Sequence, residues 1–156
     1  MKINKLIKGQ SMFEVLVAIF IITLITVGVI VVSTTSVANS TFSRNSTLAG
    51  RYAQEAIEWL RDEEATNTTL FKTTRVSQSR YCLDSLAWGN INACSANELI
   101  NDTTGADTVF GREVVLTSSQ ISGKNIIQAV VDVYWTDSKG THHVSSTTNF
   151  SDIREK

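Results

Sequence analysis

One carboxylate stands alone in the longest apolar stretch of this chain. Between Met12 and Val32 the only charged side chain is Glu14, and Thr23 and Thr26 carry the only other polar side chains. A carboxylate in an apolar membrane helix costs a few kcal/mol on insertion scales, and more when it is held deep without a partner. Glu14 is therefore predicted to pair with a cation.

A second group of residues, at the N-terminus, has the chemistry of a processing site. Gly9 lacks a side chain and so offers a protease an unobstructed backbone. The residues before it include Lys2, Lys5 and Lys8 and no acid, a pattern that keeps this end in the cytoplasm and predicts export of the remainder. The apolar run that follows has about 20 residues, the length that a helix needs to cross a bilayer.

A basic leader, a glycine, four further residues and a glutamate that opens an apolar helix together resemble the class III signal of type IV prepilins and pseudopilins. Gly9 matches the last leader residue and Glu14 the fifth mature residue, while Gln10 stands where the family usually has Phe. The resemblance implies that a membrane prepilin peptidase cuts between Gly9 and Gln10 and methylates the new amine of Gln10. It further implies that Glu14 accepts the N-terminal amine of a neighbouring subunit, as an ion pair in a low-dielectric filament core.

Two simpler interpretations of the same stretch remain open. A conventional secretory signal would be cut after a small-residue site such as Ser36-Val37-Ala38, but its apolar region is normally 7–15 residues and free of acids. A permanent single-pass anchor without processing has an adequate apolar length. Only the prepilin interpretation gives Glu14 a partner.

The sequence beyond the apolar run predicts an α+β fold. A single helix is expected from about Ser11 to about Glu64, with an apolar stripe along its outer half. Strands are predicted at Val109 to Thr117, Ile126 to Thr136 and His143 to Phe150, because apolar and polar residues alternate there. A turn is predicted at Asp137–Gly140. The second strand has one apolar face, formed by Ile127, Ala129, Val131, Val133 and Trp135. The aromatic residues Trp135, Tyr134 and Phe150 are expected to pack in the core or across strands. Three short strands are marginal alone, so the helix must cover one face of a small antiparallel sheet of three or four strands.

The predicted organisation has five segments. These are a leader (1–9), a transmembrane and filament-core helix (10–33), an amphipathic helix (34–64), a loop-rich segment pinned by the cysteines (65–108) and an antiparallel β-sheet (109–156). The strand around Val131, Val133 and Trp135, followed by Gly140, resembles a subgroup of the same family: type IV pilus modification proteins and the small minor pseudopilins of type II secretion. This similarity implies a pilin-like fold.

Cys82 and Cys94 are the only cysteines of the chain. In an exported domain a disulfide between them is the first hypothesis, and two buried free thiols are the alternative. A zinc site with His142 and His143 is disfavoured, because the cysteines lack the paired spacing of structural zinc sites and adjacent histidines on a strand point to opposite faces. No metal or cofactor is predicted.

The remaining composition favours a building block over an enzyme. No nucleophile–base pair, carboxylate cluster or glycine-rich phosphate loop is evident, and no acid or nucleophile has an evident spacing to His142 and His143. The net charge of −1 and the lack of a basic patch after the leader give no indication of nucleic-acid binding.

The resemblance implies a minor pilin or pseudopilin of the bacterial inner membrane. Its partners would be the prepilin peptidase, other pilin subunits through the N-terminal helix, the assembly platform and membrane lipid. The alternative is a membrane-anchored extracytoplasmic binding module that enters no filament.

Overall fold

A computed structural model describes residues 12–76, 80–88, 90–91, 94–95, 98–101, 108–121 and 124–151. Gly9 and Gln10, the predicted cleavage and methylation site, lie outside the described residues. The chain divides into two compact units between Ser43 and Arg44. The first unit contains the N-terminal part of the long helix, and the second contains the rest of that helix and the sheet.

Helix α1 extends from Met12 to Thr66, close to the predicted bounds. Asn67 leaves helical geometry, with φ −129° and ψ 51°, and a short helix α2 (Thr68–Leu70) and one π-helical turn (Phe71–Arg75) follow it. The break coincides with a run of Thr and Asn, whose side chains compete for backbone hydrogen bonds and favour helix ends.

Among the described residues, the sheet has five antiparallel strands in the order β2-β1-β3-β4-β5. Their bounds are Arg80–Cys82 (β1), Asn90–Ile91 (β2), Phe110–Ile121 (β3), Lys124–Asp137 (β4) and Gly140–Ser151 (β5). The three predicted strands are confirmed as β3, β4 and β5. The strand number was underestimated because β1 and β2 lie in the segment that was predicted to be loop-rich, where two or three residues are too few for a visible alternation.

Inward-facing rows of β3 and β4 form one side of the core. Alternation along β4 buries Ile127, Ala129, Val131, Val133 and Trp135, the same five residues that the sequence placed on one face. On β3 the buried row consists of Phe110, Arg112, Val114 and Leu116. Phe150 and Trp135 are both buried, which confirms the predicted packing role of these aromatic residues.

The outer part of α1 forms the other side of the core. Its buried positions follow helical spacing and are mostly small: Ala49, Ala53, Ala56, Ile57 and Leu60. The small side chains of the helix leave room for the large residues of the sheet, which fill the space between the two layers. The predicted fold class is confirmed: one long N-terminal helix is packed on a small antiparallel sheet.

Candidate functional site: an exposed apolar helix with one carboxylate

The first unit presents apolar side chains in every direction. Each large apolar residue from Met12 to Val32 is at least 40 % exposed, and none of them is covered by described residues. Soluble monomers rarely expose apolar patches larger than a few hundred Å². Helix α1 is the one helix of the described chain that is long and apolar enough to cross a membrane. This surface is therefore suited to apolar surroundings.

The polar side chains within this surface satisfy themselves on the helix. The hydroxyl group of Thr23 donates a hydrogen bond of 2.8 Å to the carbonyl oxygen of Phe20, and the hydroxyl group of Thr26 donates one of 2.8 Å to that of Ile22. Bonding to the preceding turn removes most of the cost of placing a hydroxyl group in hydrocarbon. Both threonines are therefore compatible with a membrane or with a tightly packed helix bundle.

Glu14 cannot be satisfied in the same way. It lies in the first turn of the described part of α1, is exposed, and forms no ion pair with any described residue. No basic residue occurs between Met12 and Ser43. A carboxylate accepts hydrogen bonds and cannot donate them when it is ionised, so in an apolar environment it needs a cationic donor. Within the described residues, Glu14 therefore has no cationic partner.

The disulfide between Cys82 and Cys94 is present, as predicted, with the two Cα atoms 4.7 Å apart. It links the end of β1 to the chain beyond β2. The backbone N–H of Cys94 donates a hydrogen bond of 2.9 Å to the Glu113 carboxylate on β3. In the described part of the chain, the one cluster with the spacing of metal ligands is Cys82, Cys94 and Glu98. Because both sulfur atoms are committed to the disulfide, this cluster has a single ligand left.

Arg112 is buried and forms several hydrogen bonds, a role that the sequence analysis did not predict. It is 2 % exposed. Its Nε donates to the carbonyl oxygen of Leu83 (3.0 Å), and its Nη1 donates to the carbonyl oxygen of Tyr52 (3.1 Å) and to the carboxylate of Glu55 (3.0 Å). Burial lowers the pKa of Arg112, and the hydrogen bond to Glu55 opposes that shift.

These contacts join α1, the segment after β1 and strand β3. A cleft of about 390 Å³ opens beside this junction, lined among others by Tyr52, Asp84 and Asn101. Because protein groups already bind the Arg112 guanidinium, its position is explained by the fold without a ligand. Its place in an inward-facing row of a strand was the signal in the sequence that could have revealed its burial.

The two histidines each have an acid beside them, contrary to the sequence-based expectation. His143 Nδ1 lies 2.8 Å from the Asp132 carboxylate, and His142 Nε2 lies 3.0 Å from that of Asp137. Ser145 donates a hydrogen bond of 2.6 Å to Asp132. In a nucleophilic triad the histidine stands between acid and serine. Here Asp132 stands between them, so the histidine is not placed to take the serine proton.

The tight turn between β4 and β5 fixes the register of the two strands, and that register could have predicted these contacts. Asp137 pairs with Gly140, and that register places Asp132 directly opposite Ser145 and Tyr134 opposite His143. The contacts of His143 and Ser145 with Asp132 are cross-strand contacts on the exposed face of the sheet, and they stabilise the hairpin. His142 and Asp137 lie on the opposite face, in line with Trp135.

No protein-family model, curated protein or solved structure matches this chain.

Proposed function

We propose that this protein is a minor pilin or pseudopilin, a subunit held in the bacterial inner membrane and assembled into, or priming, a type IV pilus or type II secretion pseudopilus. One observation carries the proposal: the exposed apolar segment of α1 from Met12 to Val32 has a single charge, Glu14, five residues after Gly9, the last residue of a basic leader. The resemblance to prepilin signals rests on the same residues.

The proposed mechanism uses the apolar helix twice. It first anchors the chain in the membrane, with the sheet-bearing unit outside the cytoplasm. A prepilin peptidase then cuts between Gly9 and Gln10 and methylates the amine of Gln10. On the assembly platform, the apolar surface exchanges lipid for the helices of neighbouring subunits. Glu14 receives the N-terminal amine of a neighbour, and the cost of leaving either charge unpaired in the filament core sets the register between subunits.

The first test of this proposal is the intact mass of the protein isolated from membranes of a host that has its prepilin peptidase. The expected mass lacks residues 1–9 and carries one additional methyl group. A mature chain that starts at Asn39 would instead indicate conventional secretion. An unprocessed chain would indicate a plain membrane anchor, and both results contradict the proposal.

The second test addresses Glu14 itself. Glu14→Ala is expected to leave membrane insertion intact, because it removes the only charge of the apolar segment, and to abolish cross-linking into filaments. Glu14→Asp keeps the charge on a shorter side chain and serves as the matched control, with partial incorporation expected. Incorporation of Glu14→Ala at the wild-type level would rule out the proposed pairing.

The competing function is a membrane-anchored binding module. The disulfide-pinned segment between β1 and β3 is the feature that favours it, since binding residues often lie on loops held by a rigid scaffold. A module of this kind would remain alone in the membrane under conditions in which filaments form. Cross-linking from the exposed helix therefore separates the two functions.

A further inference from the structure

Within the part of the chain that the structure describes, strand β5 is a long edge strand without the usual protection against pairing. It extends over 12 residues, from Gly140 to Ser151, whereas the opposite edge of the sheet, β2, has 2 residues. Natural edges are commonly blocked by proline, lysine, inward-pointing charges or a bulge. None of Pro, Lys, Arg, Asp or Glu occurs in β5, and its register with β4 continues without a bulge. Such an edge is a template for a further strand.

The register identifies the backbone groups that this template offers. Asp137 and Gly140 pair directly across a turn of two residues, so they exchange both backbone hydrogen bonds. Along an antiparallel ladder such pairs alternate with pairs that point their N–H and C=O groups away from each other. The residues of β5 that point their backbone groups to the open side are therefore Thr141, His143, Ser145, Thr147, Asn149 and Ser151.

The side chains of β5 define the chemistry of the strand that fits. Its inward row contains several polar residues (His142, Ser146 and Thr148), and it pairs with the fully apolar inward row of β4. Apolar side chains border the end of this row, where Phe150 contacts Phe71 with ring centroids 5.2 Å apart. Leu70, next in sequence to Phe71, is 45 % exposed. A second copy of β5 would place another polar row beside these apolar side chains. A strand with alternating residues and apolar side chains on its inward face would instead cover them.

We propose that β5 binds an extended segment of another protein as a sixth, antiparallel strand, with apolar side chains on the helix-covered face and polar side chains on the open face. Main-chain hydrogen bonds to the six outward-pointing residues supply the affinity, and the alternation supplies the specificity. The inference rests on the open backbone edge and the side chains of β5, and it does not depend on whether the protein enters a filament.

The probe for this site is a synthetic peptide with the sequence of β4, Asn125 to Asp137, because that segment already has the required alternation. A peptide of the same composition with its apolar residues moved out of alternation is the control. Binding to the full chain in detergent micelles is measured by fluorescence anisotropy. Hydrogen exchange of the complex is expected to show slowed exchange at the amides of the outward-pointing residues. Absence of binding, or equal binding of both peptides, overturns the proposal.

Two variants at one position separate edge pairing from other modes of binding. Thr147→Pro removes an outward-pointing N–H and leaves the ladder with β4 intact, whereas Thr147→Ala removes the same side chain and keeps that N–H. The proline variant is expected to weaken peptide binding by about tenfold or more, and the alanine variant by less than about threefold. Equal affinity of the proline variant and the wild type overturns the proposal. The exchange pattern of the wild type decides the question if the proline variant does not fold.

A third variant tests whether the edge is used by a second copy. In a centred antiparallel pairing of two β5 strands, Ser146 would face itself, so oxidation of Ser146→Cys would yield a covalent dimer. Retention of the monomer is the expected result. Efficient dimer formation together with concentration-dependent sedimentation of the wild type would assign the edge to self-association and overturn the assignment to another protein.

Discussion

Arg112 shows how a single charge can hold three elements together. Among the described residues it is the one charged side chain that is buried. Its carboxylate partner Glu55 is 53 % exposed, so water also solvates that side of the pair. Its other two partners are the backbone carbonyl oxygens of Leu83 and Tyr52, which lose this donor when the arginine is removed. The stabilisation by Arg112 therefore comes mainly from its hydrogen bonds to the backbone.

Truncation of each partner is expected to give unequal effects. Arg112→Ala should lower the free energy of unfolding by about 2–4 kcal/mol, because two acceptors lose their donor and a cavity remains. Glu55→Gln should cost less than about 1 kcal/mol, since exposed ion pairs contribute little. Urea unfolding of the full chain in detergent, followed by near-ultraviolet circular dichroism, measures both. Equal effects of the two variants would mean that the ion pair dominates.

Asp137 gives the hairpin a dependence on pH. The backbone N–H of Lys139 donates a hydrogen bond to its carboxylate, and together with His142 this lowers the pKa of Asp137 below 3.8. A lowered pKa in the folded state means that the stabilisation is present above the ordinary carboxyl pKa and is lost as the pH falls through the lower, folded-state value. The difference in stability between wild type and Asp137→Asn should therefore be larger at pH 6 than at pH 2. An unchanged difference across that range would contradict this role.

At the scale of the elements, two glycines are expected to respond oppositely to the same substitution. A Cβ atom at Gly50, within α1, meets nothing within 4 Å, so Gly50→Ala should stabilise the protein by about 0.5–1 kcal/mol through the lower entropy of the unfolded chain. Gly140, in the turn before β5, has φ +122°, which L-residues rarely adopt. Gly140→Ala should therefore cost about 1–3 kcal/mol. Thermal unfolding of both variants beside the wild type checks the sign of each change.

The elements that were predicted correctly are those long enough for their periodicity to be visible. Helix α1 and strands β3 to β5 have enough residues for a repeat of 3.6 or 2 to be visible, and the inward row of β4 was predicted in full. Strands β1 and β2 have 3 and 2 residues, and their pairing depends on contacts that are distant in sequence. Local pattern contains no information about such contacts.

The sequence predicted the environments of some candidate-site residues and missed others. The isolation of Glu14 is a property of the sequence itself. The burial of Arg112 was missed because charged residues are rarely buried without a partner, and here the partners are supplied mainly by the backbones of two other segments. The contact of His143 with Asp132 was missed although the turn at Asp137–Gly140 was predicted, because the register from that turn was not extended along the strands.

At the scale of the whole molecule, the two units are built for different solvents. The unit that ends at Ser43 exposes its apolar side chains, whereas the unit that begins at Arg44 has its own buried core and a disulfide. A disulfide forms and persists in oxidising compartments and is rare in the bacterial cytoplasm. Under the proposed function, the oxidation state of Cys82 and Cys94 would therefore report whether the second unit has left the cytoplasm, and its export would depend on insertion of the first unit.

This coupling can be tested with charges in the apolar segment. The Leu, Ile, Val and Phe residues between Met12 and Val32 together favour insertion by about 5–9 kcal/mol, and one central arginine opposes it by only about 2.5–3.5 kcal/mol. Two central arginines are therefore needed to offset the free energy of insertion. The double variant Ile22→Arg/Ile25→Arg should lose its resistance to carbonate extraction, and its cysteines should become accessible to alkylation. Val37→Arg/Thr41→Arg places the same charges beyond the apolar run and should retain both properties. Oxidised cysteines in the first variant would mean that export of the second unit does not require this helix in the membrane.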